Sequence, residues 1–226
     1  MTNGNQILAA LSGANERLNL GLSDVRNRAL ISSGIVFFDG LIVSEECECG
    51  CGQSDFSELC RNFLFLHIES LKLEPAKRKP IWIVLNSPGG SVHDGFGFYD
   101  LVKNSVDSGL EVNILGMATV ASVATVVMQA GTKRFSFPNT QFLIHEVSQS
   151  ALTDREKVSE SRERVEEMER LNGIAMKIIS DRAGIDPAEL IKLSKKKEFW
   201  LDANAARNFG HDGLIDGIIT KIPPSF

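Results

Sequence analysis

Ser122 sits in the stretch Gly-Met-Ala-Thr-Val-Ala-Ser-Val-Ala-Thr-Val-Val-Met-Gln-Ala-Gly, residues 116–131, among side chains small enough for a tight turn into a helix. A serine at the first turn of a buried helix holds its hydroxyl beside backbone N–H groups that have no intrahelical acceptor, a setting that suits a nucleophile. The same position suits a plain N-cap, and these residues leave both roles open. Upstream, the run Asn-Ser-Pro-Gly-Gly-Ser (86–91) follows an apolar strand. Its paired glycines allow positive φ and close backbone approach, so that a peptide N–H can face a ligand with no side chain in the way; this is an oxyanion-hole candidate. Downstream, His145 ends the apolar run Phe142-Leu143-Ile144 and can present its imidazole to a cleft as a base, or serve as a hydrogen-bonded structural residue. In the first of each pair of roles these groups would suit nucleophilic catalysis. His93 and Asp94 do not, because neighbours on a helix point in different directions; both read as surface residues.

The elements that must position these groups follow from pattern. Residues 81–85 are a buried strand, and Val92, Phe96, Tyr99, Leu101 and Val102 mark the helix after the glycine turn. Val112, Ile114 and Leu115 read as a strand ending at Gly116, taken as the turn before the Ser122 helix. Residues 35–38 form a first strand. Phe56, Leu59, Phe63, Leu64 and Leu66 recur at helical spacing, with Cys60 facing inward. Residues 132–138 and 141–146 read as two short strands around an Asn139-Thr140 turn, the second placing His145 as a hairpin strand would. Strands alternating with helices at glycine crossings give an α/β class of stacked β-β-α turns.

Thr153 and Glu156 have capping-box spacing, and the helix they open extends to about Ala183. Its apolar residues Val158, Val165, Met168, Leu171, Ala175 and Ile178 form a stripe over its second half, and its first half is thick with charge. Such a helix either projects towards a partner or lies on its own subunit. Asp186-Pro187 opens a further short helix. Residues 1–27 are a weakly amphipathic arm, read as loose or surface-docked.

A chain of 226 residues with 43% hydrophobic content can bury a full core, as one domain or one with appendages. A net charge of −5 provides no basic footprint for nucleic acid. No apolar run approaches the ~20 residues of a membrane span, and residues 1–5 do not open a signal peptide, so a soluble, cytoplasmic protein is expected. Cys47, Cys49, Cys51 and Cys60 are enough thiolates for a tetrahedral zinc site, yet the usual C-x₂-C pairs are absent. Zinc, a reactive or oxidised thiol pair and a solvent loop are all compatible with that cluster, and no metal is expected.

Three segments carry a resemblance: residues 86–100, residues 116–122, and residues 134–145 ending Gln-Phe-Leu-Ile-His. In that order they resemble the ClpP family of serine peptidases, and the likeness runs from about residue 26 to residue 219. It implies a ClpP/crotonase-like fold, with residues 28–222 as the peptidase domain, residues 1–27 as an axial segment and residues 147–183 as a handle joining two rings. It implies serine endopeptidase chemistry, with Ser122 as nucleophile, His145 as base and then acid, and the backbone N–H groups of Gly90 and Val123 as the oxyanion hole. No cofactor is implied. The implied partners are further copies in stacked hexameric or heptameric rings, an AAA+ unfoldase and unfolded polypeptide substrates.

Two departures stand out. Glu198 falls where the family's pattern has the triad aspartate, so its longer side chain orients His145 only from a backbone set slightly further away. Asp202, four residues on, is placed to cap the next helix. Val120 occupies the family's usual serine position counted from Gly116, whereas counting back from Gly131 restores Ser122; this is a two-residue insertion. These departures motivate one alternative, a catalytically silent ring subunit of the same fold. Another is an acyl-CoA hydratase or isomerase of the crotonase superfamily, against which the Ser-His pair speaks.

Overall fold

A computed structural model describes residues 29–43, 56–148, 157–196 and 198–221. The arm at 1–27, Cys47, Cys49 and Cys51, and the Thr153–Glu156 box lie outside them.

Strand β2 (Ile81–Ser87) is apolar over its first five residues because both of its faces are covered. It is flanked in parallel by β1 (Ile35–Asp39), with Ile35 opposite Trp82, and by β3 (Val112–Ala121), with Ile81 opposite Val112. Parallel neighbours need crossovers. Helix α1 (Phe56–Leu71) lies between β1 and β2 in the chain, and α2 (Val92–Asp107) lies between β2 and β3. Ser91 caps α2, its hydroxyl accepting the Asp94 N–H at 3.3 Å. Phe38, Phe56, Phe98 and Phe63 then stack edge-to-face in sequence, with centroids 5.6–5.9 Å apart, locking both helices onto the sheet. The inward face of α2 is Gly95, Phe98, Val102 and Ser105; Phe96, Tyr99 and Leu101 are only half-buried. On α1, Leu64 points outward, 43% exposed.

Gly116 does not end β3. The strand continues to Ala121 through an irregularity: Leu85 pairs with Gly116, but Ser87 pairs with Val120, so Asn86 alone faces Met117, Ala118 and Thr119. Ala118 absorbs the excess at φ 51°. Two extra residues thus reside in the strand, where a bulge can store them without moving the helix.

That irregularity divides β3 between two partners. β4 (Lys133–Ser136) runs parallel to residues 113–116, and β5 (Gln141–Ile144) runs parallel to residues 119–121. The two short strands therefore do not form a hairpin with each other, because each finds a separate stretch of β3 to pair with. β6 (Phe199–Asp202) adds antiparallel to β5, and β7 (Gly217–Ile218) adds parallel to β4.

Helix α3 (Val123–Met128) is wholly buried. Helix α4 (Val158–Ala183) ends at left-handed Gly184 and begins where the Glu160 carboxylate accepts the Lys157 backbone N–H at 3.1 Å. Leu171, Ala175, Met176, Ile179 and Ala183 bury into this subunit, whereas Val158 is 78% and Val165 46% exposed. Leu171 therefore belongs to the internal face, and only the first half of the stripe is uncovered. Helices α5 (Pro187–Lys196) and α6 (Ala203–Arg207) complete the described chain. Arg134 of β4 is buried, and its guanidinium donates to Asp216, Gln129 Oε1 and the carbonyls of Arg182 and Gly213. It joins β4 to α3, α4 and the chain leading into β7.

Candidate active site

Ser122 stands at the junction of β3 and α3, and its backbone is unusual. Its φ is 56° and ψ −130°, a region that a residue with a Cβ enters only at a cost of order 1–3 kcal/mol. Neighbours on both sides hold it there: Ser122 N–H donates to Leu143 O at 2.9 Å, and Thr125 returns both its N–H and its hydroxyl to Ser122 O, at 3.0 and 2.6 Å. Although Ser122 occupies the N-cap position, its hydroxyl makes no capping bond. Thr125 has taken over the satisfaction of this turn, which leaves Ser122 Oγ free of any partner among the described residues.

The Asn86–Ser91 turn presses against that serine. Gly89 has φ +100°, and a Cβ built on it would lie 2.6 Å from Ser122 Cβ and 2.8 Å from Ala121 O. Gly90 is equally constrained from the other side, since its Cβ would run into the carbonyl of Ile42, which forms a parallel bridge to it. Ser87 Oγ accepts the Gly89 N–H at 3.1 Å and fixes the turn from within. The N–H groups of Gly90 and Val123 have no acceptor among the described residues. Unpaired donors at a helix start are what an oxyanion site consists of. Close packing extends below: a Cβ on Gly95 of α2 would collide with Val123, so the two helices cross where only glycine permits it.

Ser122 and His145 line one pocket with Val92, Val123, Ile144 and, from α4, Met176. Its free volume is about 20 Å³, room for one water-sized group. His145 is half-buried just past the end of β5 and makes no side-chain hydrogen bond among the described residues. Strand β5 reaches Ser122 directly through the Leu143 carbonyl, so one backbone bond indexes the histidine's strand to the serine. Glu198 precedes β6, whose register sets Phe199 against Ile144; one step further along that ladder places Glu198 opposite His145. Its Oε2, however, accepts from Trp200 Nε1 at 3.2 Å, and the side chain is exposed. Asp202 caps α6, accepting the Ala205 N–H at 2.8 Å.

The remaining sequence candidates lie elsewhere. Cys60 faces a groove between α1 and α2 lined also by His93 and Asp94, where burial, followed by the charge of Asp94, pushes its thiol up to about 11. That disfavours the thiolate a zinc ligand requires. No cluster of three metal-binding side chains occurs among the described residues. The sequence marks both glycines of the turn as allowing close approach but does not show that Gly89 is the one against Ser122, because that contact depends on tertiary approach. The wall that α4 contributes has no sequence signal, because Ala175, Met176 and Ile179 look like ordinary core.

The chain matches the family described as Clp protease over residues 54–222. It is similar to the ATP-dependent Clp protease proteolytic subunit of Ligilactobacillus salivarius, with 34% identity over 143 residues, covering 62% of this chain and 68% of that protein. The protein of the same name from Porphyromonas gingivalis is 33% identical over 148 residues, 63% of this chain and 61% of the relative. ATP-dependent Clp protease proteolytic subunit 1 of Bacillus cereus is 29% identical over 167 residues, 73% and 78% of the two chains.

Proposed function

The chain belongs to the Clp protease family, and from that premise we propose that it is a serine-type endopeptidase that cuts unfolded polypeptides inside an oligomeric chamber. Ser122 Oγ attacks the scissile carbonyl carbon while its proton passes to His145. The imidazolium then protonates the departing amine, and a water entering by the same route releases the acyl group from Ser122. The N–H groups of Gly90 and Val123 receive the developing oxyanion, each worth ~3 kcal/mol in comparable sites. Glu198 turns towards His145 and stabilises the imidazolium. This chemistry calls for no metal or organic cofactor.

The observation that carries this reading is Ser122 itself, held at positive φ with its hydroxyl uncapped, against a glycine turn and in one pocket with His145. Strain of this kind, at the turn between a strand and a helix, exposes a nucleophile. Labelling with a fluorophosphonate followed by peptide mapping tests it. The label should fall on Ser122, and Ser122→Ala should abolish peptide hydrolysis with assembly intact; hydrolysis by that variant at near wild-type rate would sink the assignment.

The relatives are named as proteolytic subunits of an ATP-dependent protease, and this chain, which contains no Gly-x-x-x-x-Gly-Lys phosphate loop, takes the same place. It assembles into stacked hexameric or heptameric rings in the cytoplasm and receives substrate from an AAA+ unfoldase. The uncovered half of α4, with Val158 and Val165 exposed, supports the ring-to-ring contact, and no described helix is long and apolar enough to cross a membrane. One observation favours a second reading, a silent ring subunit: the Glu198 carboxylate is engaged by Trp200. The same labelling experiment decides between the two.

A further inference from the structure

The bulge in β3 leaves a gap in the ladder just before the serine. Between the pairs Leu85–Gly116 and Ser87–Val120, regular pairing of β2 with β3 is lost, and the only residue on the β2 side is Asn86. Its side chain fills the gap: Asn86 Oδ1 accepts the Thr119 N–H at 3.0 Å. Its other end, Nδ2, donates to Asp39 Oδ1 on β1 at 2.8 Å. The amide has one workable orientation, because a flipped Asn86 would set its NH₂ against the Thr119 N–H and its carbonyl against a carboxylate. The result is a hydrogen-bonded chain Asp39–Asn86–Thr119 across three strands.

Two segments leave this chain, and both lead to the site. On β2, Asn86 is followed at once by Ser87, whose hydroxyl fixes Gly89, and then by Gly90. On β3, Thr119 leads through Val120 and Ala121 to Ser122. We infer that Asn86 is a positioning residue for the proposed peptidase reaction, its amide setting the distance between Ser122 and the glycine turn across the two-residue bulge, with Asp39 holding that amide in place. The inference rests on the peptidase reading of Ser122 and assigns the extra residues of β3 a specific compensating partner.

The test compares wild type, Asn86→Ala, Asn86→Asp, and the double variant Asp39→Asn/Asn86→Asp. Three readouts apply: the rate of fluorophosphonate labelling at Ser122, kcat and KM on a peptide substrate per labelled site, and the melting temperature. Asn86→Ala should lower kcat and the labelling rate by about 10²-fold with KM largely kept, the scale of loss that follows a small displacement of a reacting group. Asn86→Asp keeps the acceptor for Thr119 but faces Asp39 with a second carboxylate, and should be similarly slow. The double variant restores a donor opposite an acceptor at that pair and should recover most of the rate, and because both substitutions are near-isosteric it carries the test even where Asn86→Ala folds poorly. Wild-type kcat per labelled site in Asn86→Ala, with only stability lowered, would overturn the inference, as would a double variant no faster than Asn86→Asp. Absence of labelling in the wild type would remove the peptidase reading and this inference with it, whereas wild-type labelling beside an unimpaired Asn86→Ala removes this inference alone.

Discussion

Gly89 and Ser122 meet so closely that no side chain fits between them: a Cβ on Gly89 would stand 2.6 Å from Ser122 Cβ and 3.2 Å from its Oγ. The peptide turn and the hydroxyl are therefore neighbours by backbone geometry, before any substrate arrives. Gly89→Ala meets two costs at once, a φ of +100° and contact with both Ser122 and the Ala121 carbonyl. We expect a loss of roughly 1–3 kcal/mol of stability and of most peptide hydrolysis, since relief requires the turn to back away from the serine. Thermal melting together with a peptide assay checks this, and full activity in the variant would mean that the turn does not need this proximity.

The Arg134–Asp216 pair makes a prediction about acid stability. Burial by itself would raise the Asp216 carboxyl, but the hydrogen bonds and charge of Arg134 outweigh it and hold the group below its ordinary value. A carboxyl depressed in the folded state contributes stability that is complete above its unfolded value, near 3.8, and is lost as pH falls through the lower folded value. Asp216→Asn should flatten that acid limb of the stability curve. At neutral pH it should cost about 3 kcal/mol, the low end for breaking a buried pair, because Asp216 is still 34% exposed while Arg134 is nearly sealed. Urea titrations at several pH values measure both effects.

Helix α4 divides the assembly question in two. Val165 is 46% exposed and Met168 half-buried, whereas Leu171 is already covered by its own subunit. If the proposed stacked rings meet through this helix, Val165→Glu or Met168→Glu should split them into single rings or smaller species without unfolding the subunit, and Leu171→Glu should unfold it. Sedimentation velocity beside circular dichroism separates these outcomes. Unchanged sedimentation of both charged variants would place the ring contact elsewhere.

What could be read from the chain depended on how local each cause was. β2 and α2 were legible, because an apolar run, a Pro-Gly-Gly turn and a serine cap are all written within a few residues. Ser122 and His145 stand out as candidates by residue type and place, and the fold sets both against one pocket. Gly116 misled, since glycine signals a turn in sequence while here it lies inside a strand whose bulge comes after it. The hairpin expected for β4 and β5 failed for a related reason: pairing of each with β3 is a non-local choice that neither segment encodes alone. The burial of Arg134 has no local signal, because its partner Asp216 lies far along the chain. The positive φ of Ser122 had no sequence signal either, as it is imposed by Leu143 and Thr125.

The third member of the proposed triad is decided by competition between two carboxylates and an indole. Asp202 already has a structural task, accepting the Ala205 N–H as the cap of α6, so Asp202→Asn should cost about 1 kcal/mol of stability and little turnover. Glu198 has the register position opposite His145 but is engaged by Trp200 Nε1. If it leaves the indole to orient the imidazole, Glu198→Gln should lower turnover steeply, towards the ~10⁴ lost when a triad carboxylate is neutralised. Glu198→Asp should retain part of the activity. Trp200→Phe removes the competing donor while keeping an aromatic side chain, and should leave activity equal to or above wild type. Peptide turnover across these four variants distinguishes the assignments: an inactive Asp202→Asn beside an active Glu198→Gln transfers the role to Asp202, and full activity in both means that His145 works without a side-chain carboxylate. A fall in Trp200→Phe matching that of Glu198→Gln would instead mean that the indole holds Glu198 in its working position.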